Sequence, residues 1–200
     1  MAASTISASA APCFYLFKSP LVVSPSYEIW RSISNVLSKY YYAHFYESDF
    51  SDKAFQRGAK LGIFSCADAI HRNDQERLNY LLTSNSLQYI KKRIGELPPE
   101  LINSKLSFKE DNIVSMFAHS NLLSTEKFLG IGERARPTFY STMVAFIDKD
   151  STKPISSAEA RKRANELLVC NITFARVLTP LGRWQISDLN FFDGRAVRYL

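Results

Sequence analysis

The chain has little cysteine and no long unbroken apolar run, and these shortages exclude several classes of protein. Its three cysteines, Cys13, Cys66 and Cys170, lie far apart, and none belongs to a CxxC pair. An odd number of cysteines at this spacing argues against both a disulfide framework and a zinc site. Because Cys66 and Cys170 fall within apolar patterns, we predict that they are small core residues kept in the reduced state.

Sequence motifs of catalysis are also missing. The chain contains no GxxxxGK[ST] phosphate-binding loop, no GxSxG nucleophile elbow and no HExxH metal motif. The glycine pair at Gly130 and Gly132 lacks the third glycine of a dinucleotide motif, and the acidic residues show no acid–base spacing. We therefore predict a non-enzymatic protein with no catalytic residue, no metal ligand and no cofactor.

Acidic residues are absent from the first 26 positions, which are rich in serine and alanine. The apolar run within them is broken by Lys18 and Pro20 and is too short to span a membrane. This composition suits an organelle transit peptide, although the arginines expected of one are missing. A disordered leader or an incorrectly assigned gene start would explain the same composition. Residues 1–26 are accordingly predicted to have no compact structure.

Residues 27–46 are predicted to form an amphipathic helix with a wide aromatic and aliphatic face. Tyrosine and tryptophan suit a membrane interface, while lysine and arginine attract anionic lipid such as cardiolipin. A helix packed on its own domain would show the same pattern, and the sequence does not choose between the two. The candidate membrane- or partner-binding residues are Trp30, Arg31, Lys39, Tyr40, Tyr41 and Tyr42.

A second amphipathic helix, about 20 residues long, is predicted to follow, with Asp49 or Ser51 as its N-cap. It would span about 30 Å and would need a broad apolar partner. Two shorter helices are predicted next. The first covers 75–82, and the second is capped by Ser84 or Asn85 and ended by Gly95 and the proline pair at 98–99. The apolar stripe of the long helix is Ala54, Phe55, Ala59, Gly62, Ile63, Cys66, Ala69 and Ile70.

From Asp111 onwards the apolar pattern changes from helical spacing to alternation, which predicts strands over 111–125, 138–148, 167–178 and 184–192. Helices followed by strands indicate an α+β domain in which a curved antiparallel sheet of about four strands wraps the long helix. Such a sheet leaves an apolar mouth that can bind a lipid tail or a peptide. The candidate lining residues, which would otherwise fill the core, are Phe139, Met143, Phe174, Trp184 and Ile186.

The net charge of +6 favours anionic partners such as acidic lipid or RNA, although an evenly solvated basic surface is a simpler explanation.

The segment from Tyr40 to Ile70 resembles the opening of the Tim-44-like domain, in particular the branch called m-AAA protease-interacting protein. The resemblance covers about residues 40–200 and assigns 47–200 to that α+β domain. It is most specific over 46–100, where the basic-aromatic approach leads into the motif D-x-x-F-s-x-x-x-F-x-x-G-A-K-x-A. The matching residues are Asp49, Phe50, Ser51, Phe55, Gly58, Ala59 and Lys60.

This resemblance implies a cystatin-like, nuclear-transport-factor-2-like cone. It also implies a mitochondrial matrix protein on the inner membrane, acting as an adaptor that binds the m-AAA protease and assists imported membrane-protein precursors. Relatives of the same fold anchor the mitochondrial ribosome to the membrane or recruit the import motor, and DNA is not among the implied partners. The domain organisation expected is a leader, an approach helix over 27–46 and the domain.

A small enzyme is the remaining alternative, because dehydratases and isomerases also use cone-shaped folds. Such an enzyme needs a histidine or aspartate inside the cone, paired with a second polar group. His119 and Asp188 are the first residues to consider, and fold analogy alone does not decide the matter.

Overall fold

A computed structural model describes residues 14–17, 29–124 and 136–196, without the side chains of 29–32 and 196. The α+β class is confirmed, since helices precede a four-stranded antiparallel sheet. The helices are α1 (Ile29–Phe45), α2 (Asp52–His71), α3 (Gln75–Leu81), α4 (Ser84–Glu96), α5 (Pro99–Leu106) and α6 (Ser157–Lys162). The strands are β1 (Ile113–Ser124), β2 (Thr138–Ile147), β3 (Leu168–Val177) and β4 (Gln185–Asp193).

The sheet has the order β1-β2-β3-β4, so chain neighbours are also spatial neighbours and β1 and β4 form its edges. Between β2 and β3 the register is regular from Thr138 opposite Val177 to Ile147 opposite Leu168. Alternation then places every second side chain on the same face. The predicted strands therefore match the observed ones to within about two residues, the normal uncertainty of element ends.

Helix α2 covers one face of the sheet with most of the predicted apolar stripe, although Ala54, at the start of the helix, is exposed. Ser51 is its N-cap and accepts a long hydrogen bond from the Ala54 N–H, 3.5 Å away. Ile63, Cys66 and Ile70 are buried against the sheet residues that point to this side. The opposite face is covered at one end by α6, where Ala160 packs with a separate apolar group from the strands.

Helix α5 was not predicted from the sequence, because the proline pair was taken only as a stop signal. Pro99 instead occupies the first helical turn, where the missing N–H of proline leaves no hydrogen bond unmade. The caps predicted for α4 were also wrong. The helix begins at Ser84 after Thr83, which makes no capping bond and whose hydroxyl lies 2.8 Å from that of Ser86.

The prediction that residues 1–26 have no compact structure is wrong for Phe14–Phe17, the only part of that range that the structure describes. Phe14, Leu16 and Phe17 are buried in the core, and Tyr15 pairs in antiparallel fashion with Phe192 of β4. Three large apolar side chains in four residues supply enough buried area to hold so short a segment.

Candidate docking face and aromatic cleft

Helix α1 turns its apolar side away from the protein. The side chains of Val36, Tyr40 and Phe45 are each at least 60% exposed. Spacings of three, four and seven residues put all the exposed apolar side chains on one side of the helix. We call this side the α1 outer face, and its described members are Ile33, Val36, Leu37, Tyr40, Tyr41 and Phe45.

Two hydrogen bonds of Asn35 attach the inner side of α1 to β1. The Asn35 side-chain amide donates to the His119 carbonyl at 3.1 Å, and its oxygen accepts from the Asn121 N–H at 2.7 Å. His119 lies where the β1–β2 register shifts, between Ala118 and Ser120. Asn35 therefore takes the place of a neighbouring strand at this irregularity. The attachment leaves the α1 outer face largely exposed in the described part of the chain.

The six predicted surface residues of α1 divide into four groups, of which buried Tyr42 is described separately below. Tyr40 and Tyr41 are exposed, and their rings stack on His44 and Phe45, with centroids 5.7 and 5.5 Å apart. The Lys39 ammonium instead lies 2.6 Å from the Asp52 carboxylate, so it ties α1 to the start of α2. The side chains of Trp30 and Arg31 fall outside the described part of the chain.

Tyr42 does not belong to the surface, because its side chain is completely buried. Its ring stacks on Phe139 with centroids 4.3 Å apart, and its hydroxyl donates to Glu47. Arg176 donates to the Tyr42 hydroxyl at 3.0 Å and to Glu47 at 2.8 Å. Burial, followed by the hydrogen bond to Glu47, raises the pKa of Tyr42 above its ordinary value. Tyr42 thus anchors α1 in the core, while Tyr41 next to it faces outward.

Beside this anchor lies an open cleft of about 400 Å³ between the start of α2 and the ends of β3 and β4. Phe55 forms its centre, with ring centroids 4.8 Å from Trp184 and 5.8 Å from Phe174. Gly58 lies in the wall, where an added Cβ would meet nothing within 4 Å. Two carboxylates, Glu47 and Asp49, complete the lining. The cleft can accept a small apolar or aromatic group.

Two of the five predicted pocket residues, Phe174 and Trp184, line this cleft. The other three do not. Phe139 is covered by Tyr42, Ile186 is buried in the main core, and Met143 is buried there beside a void of about 20 Å³. The alternating pattern correctly predicted that these three side chains face inward. It did not predict that they would be covered by other side chains. Phe50 and Phe55 also line the cleft and were not predicted to do so, although both belong to the motif that carries the family resemblance.

His119 and Asp188, the first candidates for a catalytic pair, do not lie close together. These lie on the two edge strands, three strand spacings or about 14 Å apart, and Asp188 is exposed. Burial raises the pKa of the Cys66 thiol to about 12 and that of Cys170 well above its ordinary value, so neither is an activated nucleophile. Among the residues that the structure describes, no group of three His, Cys, Asp or Glu side chains is placed to hold a metal ion.

Within the described ranges, no helix is both long enough and apolar enough to cross a bilayer.

No protein-family model and no curated protein matches this chain. The resemblance to the Tim-44-like domain therefore remains a hypothesis based on the residues given above.

Proposed function

We propose that this protein is a non-enzymatic adaptor that lies on an anionic membrane surface through the α1 outer face. The observation that carries the proposal is the concentration of exposed apolar side chains on that helix. Six of the twelve large apolar residues exposed on the described surface belong to thirteen residues of α1. Isolated exposed apolar residues are normal, whereas a continuous group of them marks an interaction surface.

The chemistry of the α1 outer face favours lipid as its occupant. Tyr40 and Tyr41 have amphipathic rings that suit the level of the lipid head groups. The ion pair between Lys39 and Asp52 holds the first turn of α2 beside α1. Lys53 and Arg57 are exposed in the first two turns of α2 and have no carboxylate partner among the described residues. Together with the net charge of +6, they supply the attraction to anionic head groups.

The compartment and the protein partner in this proposal come from the family resemblance. They are the matrix side of the mitochondrial inner membrane, with cardiolipin as the anionic lipid, and the m-AAA protease. In this role the adaptor would hold imported precursors near the protease. The alternative within the same fold family is a membrane receptor for the mitochondrial ribosome or an adaptor of the import motor.

The membrane part is tested by flotation of the purified full chain with phosphatidylcholine vesicles, with and without cardiolipin. We expect the protein to float with the cardiolipin vesicles and to be released by salt, because ionic screening weakens the attraction between lysine or arginine and the head groups. The informative variant is Val36→Ser/Tyr40→Ser/Phe45→Ser, which removes exposed apolar groups without touching the core.

The matched control is Leu61→Ser/Tyr80→Ser/Leu181→Ser, which removes three exposed large side chains from α2, α3 and the turn between β3 and β4, all outside α1. We expect the α1 variant to lose flotation and the control to keep it. Equal flotation of both variants, or no flotation of the unaltered chain, would show that the α1 outer face does not bind lipid. If the unaltered chain ignores vesicles but co-purifies with the m-AAA protease in an α1-dependent manner, the face binds protein instead and the lipid proposal fails.

A further inference from the structure

We propose that the outer edge of β4 and helix α4 form a binding groove for an extended apolar peptide of another protein. In this structure the chain's own segment Phe14–Phe17 occupies it. This inference does not depend on membrane binding, because α1 packs on β1, the opposite edge of the sheet. We call the site the β4 groove, and its polar lining residues are Tyr89, Arg93, Lys105, Asn190 and Asp193.

Backbone pairing with β4 provides the first set of contacts. The Leu16 N–H donates to the Phe191 carbonyl at 2.7 Å, and the Asp193 N–H donates to the Phe14 carbonyl at 2.8 Å. The segment thus lies antiparallel to β4 and covers part of its outer edge. Extended peptides bind other proteins in the same way, by adding a strand to a free sheet edge.

Side chains of the groove complete the recognition of the peptide main chain. Asp193 accepts from the Phe14 N–H and Asn190 accepts from the Phe17 N–H, both at 3.0 Å. Arg93 donates to the Leu16 carbonyl at 2.9 Å, and the Tyr89 hydroxyl donates to the Phe17 carbonyl at 3.0 Å.

Both main-chain polar groups of Phe14, Leu16 and Phe17 are therefore satisfied. These bonds reach only atoms that every residue except proline possesses, so they do not depend on the identity of the side chains.

Side-chain preference in the groove is restricted to three positions. Phe14, Leu16 and Phe17 are buried, whereas Tyr15 is 40% exposed. The Phe17 ring lies 5.8 Å from that of Tyr89, and the Lys105 ammonium lies 5.6 Å from the centroid of the Phe14 ring. Lys105 is itself fixed by Asp193 at 2.6 Å. The groove therefore selects a four-residue pattern, with apolar residues at the positions of Phe14, Leu16 and Phe17 and any residue at the position of Tyr15.

Competition between the chain's own segment and a second peptide gives the groove a regulatory use. While Phe14–Phe17 occupies the site, a partner peptide of the same pattern is excluded. Removal or release of the N-terminal residues opens the site to a partner. The competing ligand is defined by its chemistry, namely an extended segment with the apolar spacing of Phe14, Leu16 and Phe17.

The experiment uses the full chain with a site-specific protease sequence inserted between residues 20 and 25. After folding and cleavage, a fluorescent peptide corresponding to residues 11–20 is added and its anisotropy is followed. We expect the peptide to exchange into the cleaved protein and not into the uncleaved protein. A Leu16→Asp peptide should bind about tenfold or more weakly, and a Tyr15→Asp peptide nearly normally, because the Leu16 side chain is buried and that of Tyr15 is exposed.

A peptide with Phe14→Leu and Phe17→Met should retain binding, since the main-chain bonds are unchanged. Absence of exchange after cleavage would mean that the segment is a permanent part of the core and would overturn the proposal. Equal binding to uncleaved protein, or equal losses for Leu16→Asp and Tyr15→Asp, would do the same. If the cleaved protein unfolds when its segment is diluted away, the segment is likewise a permanent part of the core and the proposal is overturned.

Discussion

Glu47 and Arg176 form an ion pair at 2.8 Å that joins the link between α1 and α2 to β3, across 129 positions of sequence. Both side chains are largely buried, and Arg176 is held further by the Gly182 carbonyl at 2.7 Å. The pair also fixes the hydroxyl of Tyr42. It therefore sets the position of α1 and one wall of the aromatic cleft.

We expect Arg176→Met to destabilise the protein by about 2–4 kcal/mol, because it leaves the Glu47 carboxylate partly buried without its counter-ion. Urea unfolding followed by fluorescence measures the change. The comparison is Asp52→Asn, which breaks the more exposed pair with Lys39 and should cost less than about 1 kcal/mol. If the two variants lost similar amounts of unfolding free energy, the buried pair would not be the stronger contributor to stability.

Asn35→Ala should loosen α1 from β1. The substitution removes the hydrogen bonds that Asn35 makes to the His119 carbonyl and the Asn121 N–H, at a cost of about 1–3 kcal/mol. Amide hydrogen exchange should rise at Asn121 and along α1 more than in α2. Ser34→Ala, an exposed neighbour on the same helix, serves as the control and should leave exchange unchanged. Uniformly faster exchange across the whole protein would argue against a local attachment.

The same glycine-to-alanine change should have opposite effects at two positions. A Cβ on Gly194 would lie 1.7 Å from the Ala164 carbonyl oxygen, so Gly194→Ala should destabilise the protein by about 3 kcal/mol. Gly58 lies within α2 with open space around it, and Gly58→Ala should stabilise the protein by about 0.5–1 kcal/mol. Thermal unfolding of both variants tests this prediction. Stability changes of the same sign in the two variants would contradict the described packing.

Stability should decrease in alkali above the ordinary thiol pKa. Burial raises the pKa of Cys66 from 9.0 to about 12, and it also raises that of Cys170. Between these values the unfolded chain releases thiol protons that the folded chain retains, so the free energy of unfolding falls as pH rises. Below pH 9 both states hold the protons and these groups contribute no slope.

Urea unfolding at a series of pH values measures this slope. Cys66→Ala keeps a small apolar side chain and removes one titrating group, so its slope above pH 9 should be shallower than that of the unaltered chain. Identical slopes would show that Cys66 is not the source of the pH dependence.

Local sequence patterns predicted the helices and strands that are specified by residues a few positions apart. Ser51 capped α2 as expected, because a cap depends on one side chain and the first helical turn. The four strands followed from alternation, since side chains on a strand point to opposite faces by geometry. The apolar stripe of α2 was predicted for the same reason, from the helical period.

Contacts between distant parts of the chain were not predictable in this way. Three consecutive tyrosines have different environments: Tyr40 and Tyr41 are exposed, whereas Tyr42 is buried against Phe139. Phe14–Phe17 was mistaken for a loose leader because its partners in α4 and β4 lie more than seventy positions away. In each case a side chain on another element decides the outcome.

The sequence by itself determined the α+β class, the long capped helix and the absence of recognised catalytic motifs, because these depend on residue spacing along the chain. The tertiary structure decided which side of α1 faces outward and which apolar residues border the aromatic cleft. It also decided that an N-terminal segment completes the edge of β4. These outcomes depend on burial and on hydrogen bonds between residues far apart in sequence, and local periodicity does not encode them.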